Sequence, residues 1–352
     1  MKNLLLILLI LIGNQSCNET GGLDSSDNSN SNTSVYFYKP LNFPDPVYDL
    51  SKNAVTKEGF ELGKALFNDP QLSRDNTISC AECHNQSYAF THHGHPLSHG
   101  IEGKVGLRNA PPIQNTAWQK EFFWDGRVGD LDLFPIAPIE NPVEMDEKLG
   151  NVLEKLKKST RYPNLFKSAF GTDEINTQRF LKALSQFMNS MISDNSKYDK
   201  VMRHQGEVFT IDEKAGYDLF NAKCASCHEG AIFTDQTYRN NGLPINEQLN
   251  DKGRFRITEK SSDLYKFKVP SLRNVELTAP YMHDGRYNSL QMVLFHYSSN
   301  IHNSKTLHAS LKQGLPLSEA DKKQLIAFLK TLTDPTFLNN KQHQFPMDLL
   351  KK

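Results

Sequence analysis

Apolar residues recur every three to four positions over two long stretches of the chain. From Asn176 to Ser193 they place Phe180, Leu181, Leu184, Phe187, Met188 and Met191 on one face. From Ser318 to Leu332 they align Leu325, Ile326, Phe328, Leu329 and Leu332, with Ser318 and Asp321 spaced as a capping box. Shorter stripes lie in Glu61–Phe67 and Lys214–Phe220. No run alternates with period two, so the pattern predicts a mainly α-helical body with these stripes as its core. The start of the chain reads differently. Lys2 precedes nine unbroken apolar residues, Leu4 to Ile12. That is too short to cross a bilayer, which takes about 20, and it has the size of a signal-peptide apolar region. Asn18 to Ser34 is polar apart from Leu23. Such a segment buries too little surface to order itself.

Composition narrows the class. The chain has 352 residues, 38% of them hydrophobic, with 40 Lys+Arg balancing 40 Asp+Glu. The length suggests about two domains of roughly 100–200 residues. Zero net charge argues against a nucleic-acid partner, which draws a basic excess. The low apolar fraction leaves room for something other than side chains in the core. Cys17, behind a small residue, resembles a lipoprotein cleavage site, the other reading being ordinary cleavage near Ser16. The organisation expected is a signal peptide at 1–16 with Cys17 lipidated, a disordered tether at 17–44, and two domains at 45–205 and 206–352. The expected location is the periplasm or outer membrane, with membrane contact only through the lipid.

Four further cysteines carry the chemistry. They form Cys80-Ala81-Glu82-Cys83-His84 and Cys224-Ala225-Ser226-Cys227-His228. C-x-x-C-H is the attachment pattern for a c-type haem. Two thiols about one helical turn apart can add to the two vinyl groups of a porphyrin, and the adjacent His is carried under the ring to ligate the iron. Paired C-x-x-C zinc sites want about 15–20 residues between pairs, whereas these lie more than 140 apart. A disulfide within each pair gives no reason for His84 and His228. A thioredoxin-like motif would need a βαβ setting.

The chain also repeats itself. Pro112-Ile113-Gln114-Asn115 leads to Trp124-Asp125-Gly126-Arg127, and Ser271-Leu272-Arg273-Asn274 leads to His283-Asp284-Gly285-Arg286. In both halves the Asn stands nine residues before the Trp or His. Two fused, diverged cytochrome-like modules follow from this and from the paired haem motifs.

These segments, with Arg108–Pro111, Asn141–Met145 and Thr278–Gly285, resemble the bacterial dihaem cytochrome c peroxidases and the related MauG-type enzymes. The resemblance runs from about Lys57 to Asn300. It implies two c-type cytochrome domains, one covalent haem each, with the haems facing the interdomain interface. His84 then matches the proximal ligand of the peroxide-reacting haem, and His228 that of the electron-input haem. Trp124 matches the residue between the haems and Glu144 the active-site acid/base. Asn109, Thr278 and Pro280 match an interface calcium site, whose oxygen donors would suit Ca²⁺. Arg108 is a candidate for a haem propionate, with a surface salt bridge as the alternative. The implied partners are hydrogen peroxide and a small donor such as a monohaem cytochrome c or cupredoxin, and family peroxidases often form homodimers.

The sequence departs from the peroxidases at two points. Phe134 stands where they carry a Gln near the peroxide pocket. Tyr297 stands where they place the Met that ligates the second iron, and the MauG type has Tyr there. Tyr297 is therefore favoured as the second haem's sixth ligand, with Met282 and His296 behind it. A loop with His92, His93, His95 and His99 follows His84, and His99 is the nearest match to a displaceable distal ligand. The expected activity is peroxide reduction to water. The alternatives are MauG-like oxidation of a protein or organic substrate, and a dihaem electron carrier without chemistry of its own.

Overall fold

The computed structural model describes residues 36–346 apart from His93. The signal peptide, Cys17 and the first part of the tether lie outside the described residues. Helices dominate, as the stripes predict. In chain order they are α1 (Lys57–Phe67), α2 (Cys80–Cys83), α3 (Ile136–Glu140), α4 (Leu149–Lys158), α5 (Tyr162–Phe170), α6 (Thr177–Asn189), α7 (Lys197–Met202) and α8 (Ile211–Lys223). Then come α9 (Phe255–Thr258), α10 (Leu290–Ser299), α11 (Glu319–Lys330) and α12 (Pro335–Leu338). A two-residue antiparallel ladder, β1 (Tyr238–Arg239) with β2 (Phe267–Lys268), lies between α8 and α10. Among the described residues no helix is long and apolar enough to cross a membrane.

Two helix pairs form the two cores. α1 packs on α6, and α8 packs on α11. Each pair approaches closely at a glycine. A Cβ on Gly63 would run into the Ala183 carbonyl, and one on Gly216 into that of Gln324. The α6 stripe is buried from Phe180 through Met191, and Asn176 caps its start. The Ser318–Asp321 capping box of α11 forms as the sequence predicts. One hydrophobic cluster gathers around Phe60, Phe67, Phe180 and Phe187, the other around Phe220, Phe233, Leu325 and Phe328.

The duplication is visible in the backbone. Asn115 and Asn274 both take left-handed conformations, φ 53° and 58°, and each opens a short 3-10 turn. Nine residues on, Trp124 and His283 sit in matching turns closed by the bridges Phe122–Val128 and Tyr281–Tyr287. Gly126 and Gly285 adopt φ of 66° and 65° in those turns, a region that suits glycine. Each turn accepts a backbone bond from the other half of the chain. The Asn109 N–H donates to the His283 carbonyl at 2.8 Å, and the Lys268 N–H donates to that of Trp124 at 2.7 Å.

One sequence expectation changes here. Residues 36–44, placed in the tether, are part of the body. Phe37 and Phe43 are buried and pack on Trp118, the first stacked at 5.7 Å and the second edge-on at 5.0 Å. The Trp118 Nε1–H donates to the Pro44 carbonyl at 2.9 Å, and the Tyr38 hydroxyl to Asp194 at 2.6 Å. Burying two Phe rings is worth roughly 1.5–3 kcal/mol each, enough to order a short arm that has no periodicity of its own. Polar residues of the segment 193–199 also form a buried seam. Arg273 and Asp199 form a bidentate pair at 2.7 and 2.8 Å with both side chains 0% exposed. The Asn115 amide oxygen accepts from the Ser193 N–H at 2.9 Å, and the Asn274 amide oxygen from the Asp334 N–H at 2.8 Å. The two asparagines thus fasten equivalent exit segments, one after α6 and one after α11. Each exit segment then crosses to the other module. Tyr198 of α7 packs on Phe233, and Phe337 of α12 packs on Phe90. The expected cut at 205/206 separates two cores, but the described residues form one compact unit.

Candidate functional site

Each C-x-x-C-H motif forms a single tight turn at the end of a cleft. In the first, α2 spans the two cysteines and the His84 N–H closes onto the Cys80 carbonyl at 3.0 Å. In the second, α8 runs into Cys224, and the His228 N–H closes onto its carbonyl at 3.0 Å. The four cysteines form no disulfide. Burial pushes the Cys80 thiol up to about 12, Cys83 to about 11 and Cys224 to about 12, so they stay neutral.

The two histidines are oriented alike. His84 Nδ1 lies 2.9 Å from the Phe90 carbonyl. His228 Nδ1 lies 3.2 Å from that of Phe233 and 3.1 Å from that of Pro270. With Nδ1 as donor, Nε2 is the nitrogen left with a lone pair for a metal. Burial holds His84 down to about 4 and lowers His228 as well, which keeps both neutral. The acceptor carbonyls are held in matching ways. Thr91 Oγ1 donates to the Ala110 carbonyl, and Thr234 Oγ1 to that of Val269 at 2.5 Å. The paired Phe-Thr dipeptides were a readable signal of this frame, but only beside the haem motifs.

The first cleft holds Cys80, Cys83 and His84 together with Glu144, Phe134 and Trp124. Burial raises the Glu144 carboxyl above its ordinary 4.5, against the pull of Arg127 and an Asn141 hydrogen bond. Arg127 itself lies over the Phe123 ring at 3.9 Å. Phe134 packs on Phe123 at 4.7 Å, so an apolar ring occupies the position where the resemblance expected an amide. His99 lines this cleft, whereas the His92 and His95 rings stand behind it at 5.7 and 4.5 Å. His93 lies outside the described residues. Among the described residues no group of three or more His, Cys, Asp or Glu is set to hold a bare metal ion.

The second cleft holds Cys224, Cys227, His228, Tyr297 and Met282. The Asn241 amide nitrogen donates to the Tyr297 hydroxyl at 3.3 Å and contacts the Met282 sulfur at 3.5 Å, so both candidate ligands face one space. His296 points elsewhere, its Nε2 lying 3.0 Å from the Asn241 carbonyl. Trp124 and Asn109 line both clefts. The Trp124 Nε1–H donates to the Asn109 carbonyl at 2.9 Å, which fixes the indole in the shared wall. Thr278 and Pro280 line the second cleft beside Asn109.

Arg108 lines the first cleft, but its charge is engaged. Its Nη1 lies 2.6 Å from Asp125, and its Nε lies 2.6 Å from Asp251, both carboxylates being buried. Asp251, which comes from the other half, carries no motif that would have marked it. Arg239, which lines the second cleft, is likewise paired, through its Nη2 with Asp235, and keeps only a buried Nε without a partner. Two apolar clefts, each with two thiols, an Nδ1-anchored imidazole and nearby cationic side chains, fit two covalently held haems.

Comparison with known proteins agrees. A family model described as di-haem cytochrome c peroxidase matches residues 57–207. The chain is 35% identical over 322 residues to the methylamine utilization protein MauG of Methylorubrum extorquens, covering 89% of this chain and 88% of that one. It is 35% identical over 296 residues to the cytochrome c551 peroxidase of Nitrosomonas europaea, covering 82% and 84%. A solved MauG-like protein associated with microbial copper homeostasis superposes with a TM-score of 0.81 at 30% identity, covering 88% of this chain and 98% of that one.

Proposed function

The chain belongs to the di-haem cytochrome c peroxidase and MauG family, and on that premise we propose that it reduces hydrogen peroxide to water at the first cleft, with electrons from an external donor entering through the second. The observation that carries this reading is Glu144, a half-buried carboxyl raised by its surroundings in the same cleft as His84. A pure electron carrier has no use for it. When bound, the haems supply the redox centres, held through Cys80, Cys83 and His84 and through Cys224, Cys227 and His228. The chain does the rest. Splitting peroxide needs a proton taken from one oxygen and delivered to the other, and Glu144 does this. Trp124 gives the two clefts a common aromatic wall through which electrons pass. Asn109, Thr278 and Pro280 are assigned to an interface Ca²⁺, and His99 to the displaceable distal position.

A second reading is favoured by two residues. Tyr297 is a hard, anionic donor once ionised and suits a low-potential ferric centre better than Met282 does. Phe134 offers bound peroxide no hydrogen bond. Both favour MauG-like oxidation of a protein or organic substrate over rapid donor-fed turnover. The test is to purify the haem-loaded protein, add peroxide, and count electrons drawn from a reduced monohaem cytochrome c. Two electrons per peroxide at a sustained rate support the peroxidase. Peroxide consumption that leaves the donor untouched supports the second reading, and two haems inert to peroxide refute both. Phe134→Gln should raise donor-fed turnover.

A further inference from the structure

We propose that the two exit segments are positioning elements for the histidines of the opposite module, with Phe337 and His343 serving His84 and Tyr198 serving His228. The proposal rests on the reading that these two histidines ligate haem iron. In the first module the acceptor for His84 Nδ1 is the Phe90 carbonyl, in a loop that starts directly after the haem motif. Ala89 and Phe90 take positive φ of 55° and 58°, uncommon conformations for non-glycine residues. Local bonds close the loop, the Phe90 N–H donating to the Asn85 carbonyl at 2.8 Å, and the far end of the chain packs over it. The Gln86 side chain donates to the Phe337 and Asn340 carbonyls at 3.3 and 2.9 Å. The Phe90 ring lies against Phe337 at 5.5 Å and against His343 edge-on at 5.9 Å. His343 is itself buried and touches the rings of Phe60 and Phe187, with its Nε2 3.3 Å from Ser190 Oγ.

The second module shows the reverse arrangement. Its acceptor is the Phe233 carbonyl, and the Phe233 ring is met edge-on at 4.8 Å by Tyr198. Tyr198 follows the segment that leaves the first module. The two arrangements differ in one respect. His228 has a second acceptor, the Pro270 carbonyl, whereas Phe90 is the single carbonyl found for His84 Nδ1. The first site therefore depends more on its borrowed segment. An N–H donated from a metal-bound imidazole raises its basicity and fixes its orientation. Displacing the Phe90 carbonyl makes His84 a weaker donor to ferric iron, so the haem it holds becomes easier to reduce.

The test uses the haem-loaded, full-length protein and a spectroelectrochemical titration that resolves the two haems. Phe337→Ala should shift the first haem toward higher potential, by about tenfold in its reduction equilibrium, the low end for partners of this kind, with the second haem unchanged. Phe337→Leu should recover most of the shift. Tyr198→Ala should move only the second haem, and by less. If Phe337→Ala does not fold, Gln86→Met removes the clamp on the loop without opening the core. A folded variant with the first haem unshifted, or with both haems shifted equally, overturns the proposal. Absence of covalent haem from the wild type would instead sink the reading beneath it.

Discussion

Replacing Glu144 with Gln keeps the shape of the side chain and removes its ability to take a proton. The surroundings set the size of the effect. General acid–base groups contribute about 10²- to 10⁴-fold. The loss falls at the upper end when no neighbour can substitute. The other carboxylate lining the first cleft is Asp125, 3% exposed and locked 2.6 Å from Arg108. It has no freedom to replace Glu144. We therefore expect a loss of about 10³- to 10⁴-fold in the peroxide reaction, or roughly 4–5.5 kcal/mol of barrier at 1.36 kcal/mol per decade. Stopped-flow mixing of the haem-loaded protein with peroxide measures it. The pH profile gives a second reading. Glu144 must be ionised to accept the proton, and burial places its pKa above 4.5. The wild-type rate should fall as pH drops through that raised value, and the limb should vanish in Glu144→Gln. Asn141→Leu removes a bond that favours the carboxylate, so its limb should move to higher pH. A Gln variant within about threefold of wild type, or one that keeps the limb, refutes the assignment.

Trp124→Phe should slow electron exchange between the haems and leave both attached, as measured by flash reduction of one and relaxation to the other; unchanged kinetics remove the relay. Tyr297→Phe should alter the axial spectrum of the second haem and Met282→Leu should not; the opposite pattern makes Met282 the ligand. Arg273→Met leaves Asp199 charged and buried. It should cost about 3–5 kcal/mol, seen as a fall of roughly 6–20 °C in Tm at about 2–4 °C per kcal/mol, and a fall under 2 °C would contradict the seam. Burial would raise the Asp199 carboxyl, but its bonds from Arg273 and Ser196 hold it below its ordinary 3.8. Its contribution should persist above about pH 4 and disappear as pH falls through the depressed value, so wild type should lose more stability in acid than Asp199→Asn.

The chemistry was readable wherever it is local in sequence. Cys80–His84 and Cys224–His228 each form one turn, so spacing alone revealed them, and the α6 and α11 stripes match their buried faces. The nine-residue spacing from Asn115 to Trp124 and from Asn274 to His283 exposed the duplication because both turns are built the same way. What stayed hidden depends on distant partners. Phe37 and Phe43 sit in a Pro-rich arm without periodicity and are buried only because Trp118 waits for them. Ser193, Asp194 and Asp199 stand in a polar stretch without periodicity, yet each is satisfied by a group far along the chain. Arg108 was placed near a haem, but Asp251, the residue that claims half of its charge, lies 143 positions away.

The crossing of the exit segments separates the order of the two halves along the chain from the order of the physical units. A fragment ended at residue 205 would keep Tyr198, which serves the missing half, and lose Phe337, which its own loop requires. Anyone wishing to splice one cytochrome unit onto another scaffold must cut it with its neighbour's tail attached. The pair is knitted rather than strung, and the smallest portable piece is both.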